Sequence, residues 1–260
     1  MPDAPILYEI KEKIAQITFN RPENRNSMDK ETMPAFVEAL ARVSDEKELR
    51  CLIIAGSGKT FCSGADFRSL GITEESSITQ EFLLDVYEPF LKVQEIPVPV
   101  IAAMNGHAVG GGFGLALICD MRIANQDAKY GANFARLGIH AGMAVSYMLP
   151  RLVGLPLASE LLFTGRLISG MRAEEIGLAN YALEQEAVLE KAWELAREIA
   201  SCAPTAVRLM KRSMLKNLDW NPRGAVEIES LYQTRTFAME DSREGIRALL
   251  EKRAPEFKGE

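Results

Sequence analysis

The strongest constraint on the fold is a set of short, uninterrupted apolar runs, each closed by a glycine or a turn. Cys51-Leu52-Ile53-Ile54-Ala55 stops at Gly56, and Val98 to Ala103 stops before Asn105-Gly106. A strand with one wet face alternates apolar and polar residues, so a short run without alternation reads as a strand covered on both faces. Met121 to Ala124 repeats the pattern, and Ala15 to Phe19 alternates as a half-buried strand that Asn20-Arg21-Pro22 ends. Met33, Phe36, Val37 and Leu40 fall at i, i+3, i+4 and i+7, the apolar face of a helix predicted to start near Ser27 or Asp29. Pro34 lies in its first turns, where a missing N–H does least harm. Strands alternating with helices predict an α/β chain. From about Glu184 strand signals cease. Amphipathic helices are predicted over Val188 to Ala200, Thr205 to Leu218 and Arg243 to Arg253, separated by Pro204 and Asn221-Pro222.

The chain's 260 residues suit one large domain or a domain with a smaller appendage. Thirty Lys and Arg against thirty-six Asp and Glu leave a net charge of −6, so no overall basic field is available to hold nucleic acid or an anionic membrane. The longest apolar stretches are too short to span a bilayer. The opening MPDAPILYEIKEK has neither a secretory nor a transit pattern, which predicts a cytoplasmic location. Cys51, Cys62, Cys119 and Cys202 are scattered without a C-x-x-C pair or a histidine at metal-ligand spacing, predicting reduced thiols and no metal site.

Two glycine-rich segments invite phosphate-binding readings that their spacing refuses. Gly56-Ser57-Gly58-Lys59-Thr60 would need its first glycine at Ile53 to match a phosphate loop, and Gly110-Gly111-Gly112 is followed by Leu115 where a dinucleotide fingerprint needs glycine. Asn105 to Leu115 instead offers a strand, a tight glycine turn and an apolar helix. Free backbone donors at such a helix start can face a developing negative charge, and the loop Phe61 to Asp66 can supply a second donor, making an oxyanion hole. The same glycines would also serve simple close packing of helix on strand.

The run Gly58 to Asp66, the run Ala103 to Gly112, and Cys119-Asp120 stand in the order and spacing of one family. Together with Asn20-Arg21-Pro22, Phe237 to Asp241, Glu244-Gly245 and Glu251-Lys252-Arg253, they make the chain resemble the enoyl-CoA hydratase/isomerase (crotonase) superfamily over nearly its whole length. The resemblance implies a spiral of β-β-α units over residues 1–200 and a helical oligomerisation region over 201–260, assembled as a homotrimer or a dimer of trimers. It implies an acyl-CoA thioester substrate, with coenzyme A entering only as part of the substrate and no separate cofactor. The Ala65 and Gly111 amides would hold the thioester oxygen, flanked by Cys62, Ser63 and Gly110. Asp66 would brace its loop, and Lys252 and Arg25 would meet the phosphates of coenzyme A.

The chain departs from the family's hydratase pattern at two positions. The resemblance expects glutamates where this sequence has Gly114 and Phe134, and neither can move a proton. Hydration needs one group to deprotonate water and one to protonate carbon, so isomerisation, decarboxylation or C–C cleavage is expected instead. Gly114, a glycine within a helix, suggests a widened pocket. His140, in the turn Gly138 to Gly142, is the first candidate for the acid/base group; His107 reads as structural. Tyr130, Asn133 and Tyr147 are possible donors to substrate. Two alternatives remain open: an acyl-CoA binding protein without catalysis, with Phe134 against the acyl chain, and a thioesterase using Cys62 or Ser63 as nucleophile.

Overall fold

The chain opens with an antiparallel hairpin of β1 (Ile6–Lys11) and β2 (Ile14–Phe19). After α1 (Thr32–Asp45) come β3 (Cys51–Gly56), β4 (Thr60–Cys62) and α2 (Gln80–Glu95). The same β-β-α order returns in β5 (Val100–Met104), β6 (His107–Val109) and α3 (Gly111–Ile118). It begins again with β7 (Met121–Asn125) and β8 (Lys129–Gly131), followed by α4 (Val145–Val153) and α5 (Leu155–Thr164). Then come β9 (Ile168–Ser169), α6 (Gly170–Glu175) and β10 (Tyr181–Leu183), and finally the helices α7 (Gln185–Ala200), α8 (Pro204–Asn217), α9 (Pro222–Phe237) and α10 (Glu240–Glu251). This is a computed structural model, and it describes residues 4–66, 68–72, 78–217 and 222–260. The helix ending predicted at Leu218 and the break at Asn221 lie outside the described residues.

Two sheets result, ordered β1-β2-β3-β5-β7-β10 and β4-β6-β8-β9. Each unit gives its first strand to the large sheet and its second to the small one, so successive units advance by one strand in both. That is the spiral expected of a crotonase fold. The unalternating runs are explained by what covers them. Leu52 and Ile54 face the core between the layers, while Cys51, Ile53 and Ala55 face Val188, Ala192 and Ala196 of α7. Burying each large aliphatic side chain contributes roughly 1.5–3 kcal/mol, so both faces favour the strand.

Three of the differences from the sequence expectations have a local cause. The hairpin turn at Glu12-Lys13 has φ of 55° and 61°, a conformation usually signalled by Asn-Gly, and the turn residues here carry no such signal. Helix α1 starts at Thr32, later than expected, because Asp29 accepts the amides of Glu31 and Thr32 at 3.0 and 2.7 Å in a preceding turn, while Met28 bridges to Ala65. Helix α9 has no expected counterpart: Val226, Leu231 and Phe237 are exposed, leaving no buried stripe to read.

Side chains tie the C-terminal helices to the core. Lys211 of α8, half-buried, pairs with Asp120 at 2.8 Å and donates to the Val98 carbonyl at 2.9 Å. Arg253 grips Glu244 through two bonds of 2.6 and 2.9 Å, which with the Glu256 amide hold that carboxyl down to about 2.

Candidate functional site

Parallel pairing sets the site. Thr60 pairs with His107 and Cys62 with Ala108, so β4 and β6 end side by side and their following turns meet. Gly64 has φ +87°, and a Cβ there would lie 2.8 Å from the Gly111 amide nitrogen and 3.0 Å from the Val109 oxygen. Gly110 caps α3 at φ 57°, ψ −120°, a conformation that glycine alone takes without strain. Glycine is therefore required where the turns touch. The result brings the amides of Ala65 and Gly111 to one wall, and a Cβ built on Gly111 would be 3.7 Å from the Ala65 nitrogen. Neither amide donates to a protein acceptor among the described residues.

Both amides open on a cavity of about 200 Å³. Its lining gathers several residues the sequence singled out: Ser63, Ala65, Gly110, Gly111, Asn133, Phe134 and His140. Apolar side chains from α2 and from the 134–143 segment complete it. Among the described residues no carboxylate lines it, and no group of His, Cys, Asp and Glu able to hold a metal ion occurs among them.

The His140 ring contacts the Ala141 carbonyl through Nδ1 at 2.6 Å. A carbonyl oxygen only accepts, so Nδ1 carries the proton in the neutral ring and Nε2 keeps its lone pair.

Other expected residues stand apart from the cavity. Cys62 is fully buried beneath the turn, its Sγ accepting the Gly64 amide at 3.4 Å, and burial pushes its thiol up to about 12. A thiolate nucleophile there is disfavoured. Cys51 and Cys119 are buried as well, and Cys202 is exposed. Alkylation of the native protein is therefore expected to modify Cys202 alone, with the other three reacting only after denaturation; rapid native labelling of Cys62, read by peptide mass, would contradict this. Asp66 accepts the amides of Arg68 and Ser69 at 3.0 and 3.2 Å, inside its own loop. Arg25, at φ 60°, offers its carbonyl to the Ser63 amide at 3.2 Å, and Lys252 ends α10 at φ 54°. Tyr130 is buried and hydrogen-bonds the Met104 carbonyl at 2.9 Å, while Tyr147 lies 3.4 Å from the Arg151 guanidinium, so neither reaches the cavity. His107 accepts the Lys129 amide at 2.9 Å, a structural bond.

The widened pocket expected from Gly114 is corrected by the structure. A Cβ on Gly114 would lie 2.5 Å from the Cβ of Met143, so the vacated space is filled by Met143. Met143 and Ala144 have φ of 58° and 53°, two successive left-handed non-glycine residues, a strain of order 1–3 kcal/mol each that clusters at functional sites.

Three residues of the site escaped the sequence reading. Asn26, fully buried, donates to the carbonyls of Ser57 and Thr60 at 2.9 and 2.6 Å and fixes the entry to β4. Tyr87 and Met143 line the cavity. The spacing Leu83, Val86, Tyr87, Phe90 was a legible signal for α2 and its inward face; the backbone of Met143 left none.

Known proteins agree with this architecture. The family model described as enoyl-CoA hydratase/isomerase matches residues 9–260. The crotonyl-CoA hydratase of Syntrophomonas wolfei is 37% identical over 256 residues, 97% of each chain. The (E)-benzylidenesuccinyl-CoA hydratase of Thauera aromatica is 34% identical, covering 98% of this chain and 99% of its own. A crystal structure of an enoyl-CoA hydratase from Bacillus anthracis superposes with a TM-score of 0.92 at 33% identity, covering 98% of this chain and 100% of that one. A family-model match over residues 9–260 and likeness over nearly the whole length of these relatives place the chain in the enoyl-CoA hydratase/isomerase family.

Proposed function

We propose that the cavity takes the acyl end of a CoA thioester, with the thioester oxygen between the amides of Ala65 and Gly111. The observation that carries this is the pair of unpartnered amides on the wall of an apolar cavity whose described lining holds an imidazole and no carboxylate. Donors fixed before reaction stabilise the charge that develops on an enolate oxygen, and each such donor is typically worth about two to three orders of magnitude in rate.

His140 is the proton carrier in this reading. Its Nε2 takes a proton from a carbon next to the carbonyl or conjugated with it, the electron pair moves onto the thioester oxygen, and the same imidazolium returns the proton. One base suffices for isomerisation. In decarboxylation the enolate forms as carbon dioxide leaves, and His140 in its imidazolium form supplies the proton to carbon; in cleavage of a β-hydroxy thioester Nε2 takes the hydroxyl proton as the C–C bond breaks and returns it to the enolate. Simple hydration would need a second group. The names of the relatives favour hydration as a second reading; loss of both glutamates also leaves room for an acyl-CoA binding protein without turnover. The exposed Met210 and Met214 of α8 support self-association through residues 201–260, and the family resemblance is what suggests a homotrimer or a dimer of trimers.

One experiment separates these readings. Purified protein is incubated in deuterated water with enoyl-, dienoyl-, malonyl- and aryl-CoA thioesters, and product mass and deuterium at the α carbon are read. Deuterium uptake, double-bond migration or loss of carbon dioxide is the expected result. Addition of water would establish hydration and overturn the single-base reading. Binding of every thioester without change would favour the binding protein.

A further inference from the structure

We propose that the Tyr87 hydroxyl is a specificity-determining group that donates a hydrogen bond to an oxygen on the acyl chain beyond the thioester; the proposal rests on the acyl-CoA reading above. Tyr87 stands on α2 among Phe82, Leu83, Val86 and Phe90, in the most apolar part of the lining. The other polar side chains of the described lining lie elsewhere. Ser63 precedes Gly64, Asn133 Oδ1 is 3.5 Å from where a Gly110 Cβ would be, and the His140 Nδ1 is occupied by the Ala141 carbonyl. Tyr87 Oη has no protein partner among the described residues.

Its position is built in. Gly142 has no side chain where Oη lies, since a Cβ there would overlap Oη and come within 2.7 Å of Cζ. Gly142 is itself buried and adjoins Met143, whose side chain reaches Gly111, so the hydroxyl is held along the path leading from the proposed oxyanion hole. Burial raises the phenol above its ordinary range, which keeps it protonated and therefore a donor. An apolar pocket with one directed polar group orients its ligand through that group. When a ligand fills the cavity and expels water, a chain without an acceptor leaves the hydroxyl unpaired, whereas a chain with an oxygen there completes it.

The test is equilibrium binding by calorimetry of hexanoyl-CoA and of its 3-oxo and 5-oxo counterparts to the wild-type protein and to Tyr87→Phe. The variant keeps the ring and its packing. Wild type is expected to bind one of the oxo probes more tightly than hexanoyl-CoA. Tyr87→Phe is expected to lose about 10- to 100-fold on that probe and to bind hexanoyl-CoA at least as tightly as wild type, since no hydroxyl is left unpaired. Equal affinity of wild type for all three probes, or a loss in the variant shared by all three, overturns the assignment while leaving the acyl-CoA reading intact. Failure of wild type to bind any of them overturns both.

Discussion

His140→Ala is expected to lower turnover of the physiological thioester by about two to four orders of magnitude, the usual contribution of a positioned acid/base group. KM should change little, because the substrate in this reading is held by the Ala65 and Gly111 amides and by the apolar wall. The size of the effect follows from isolation. Among the described residues the cavity has no carboxylate that could take over the proton, and Tyr87, raised further by burial, is a poor base at neutral pH. The bond from Nδ1 to the Ala141 carbonyl also matters, since it leaves Nε2 as the accepting nitrogen. His140→Gln, which has no comparable base, should fail as fully as alanine. Steady-state rates on the substrate identified by deuterium exchange provide the check, and near-normal turnover by either variant would remove His140 from the mechanism.

Much of the architecture was legible because it rests on patterns with one physical reading. Runs such as Cys51 to Ala55 cannot leave a face in water, and the structure covers them with the inner core on one side and α7 on the other. The glycine turns were legible for a related reason: Gly64 and Gly110 sit where a Cβ would strike backbone or where φ is positive, so their spacing encodes a contact. The depth of Cys62 was not legible. The sequence favours small-residue packing for Cys62 with a nucleophile as the alternative, and only the fold shows how deep it lies, beneath the turn with its thiol pushed up to about 12. Met143 was invisible for another reason. Its influence depends on a left-handed backbone that methionine does not advertise, imposed by packing from distant parts of the chain.

Gly114→Glu, the change that would restore the first glutamate expected from the family resemblance, should on its own destabilise the protein rather than confer hydration. The added Cβ would meet Met143 Cβ at 2.5 Å and lie 3.3 Å from the Met143 oxygen and from Val145 Cγ2. Overpacking of this kind costs about 1–3 kcal/mol, and a carboxylate forced among buried apolar groups without a partner adds to it. A total of about 3 kcal/mol corresponds to a fall in Tm of roughly 6–12 °C for a chain somewhat above the usual single-domain range. Adding Phe134→Glu should not rescue it, because Phe134 is on the lining and does not touch the clash. Met143→Gly should. It removes the Cβ that makes the 2.5 Å contact and suits the φ of 58° at that position, so the triple variant is expected to recover most of the lost Tm and to hydrate crotonyl-CoA above the wild-type rate. Calorimetry and the loss of enoyl absorbance read the two effects separately. If Gly114→Glu with Phe134→Glu hydrated crotonyl-CoA at undiminished Tm while Met143 was intact, Met143 would not be the group that occupies the glutamate's place.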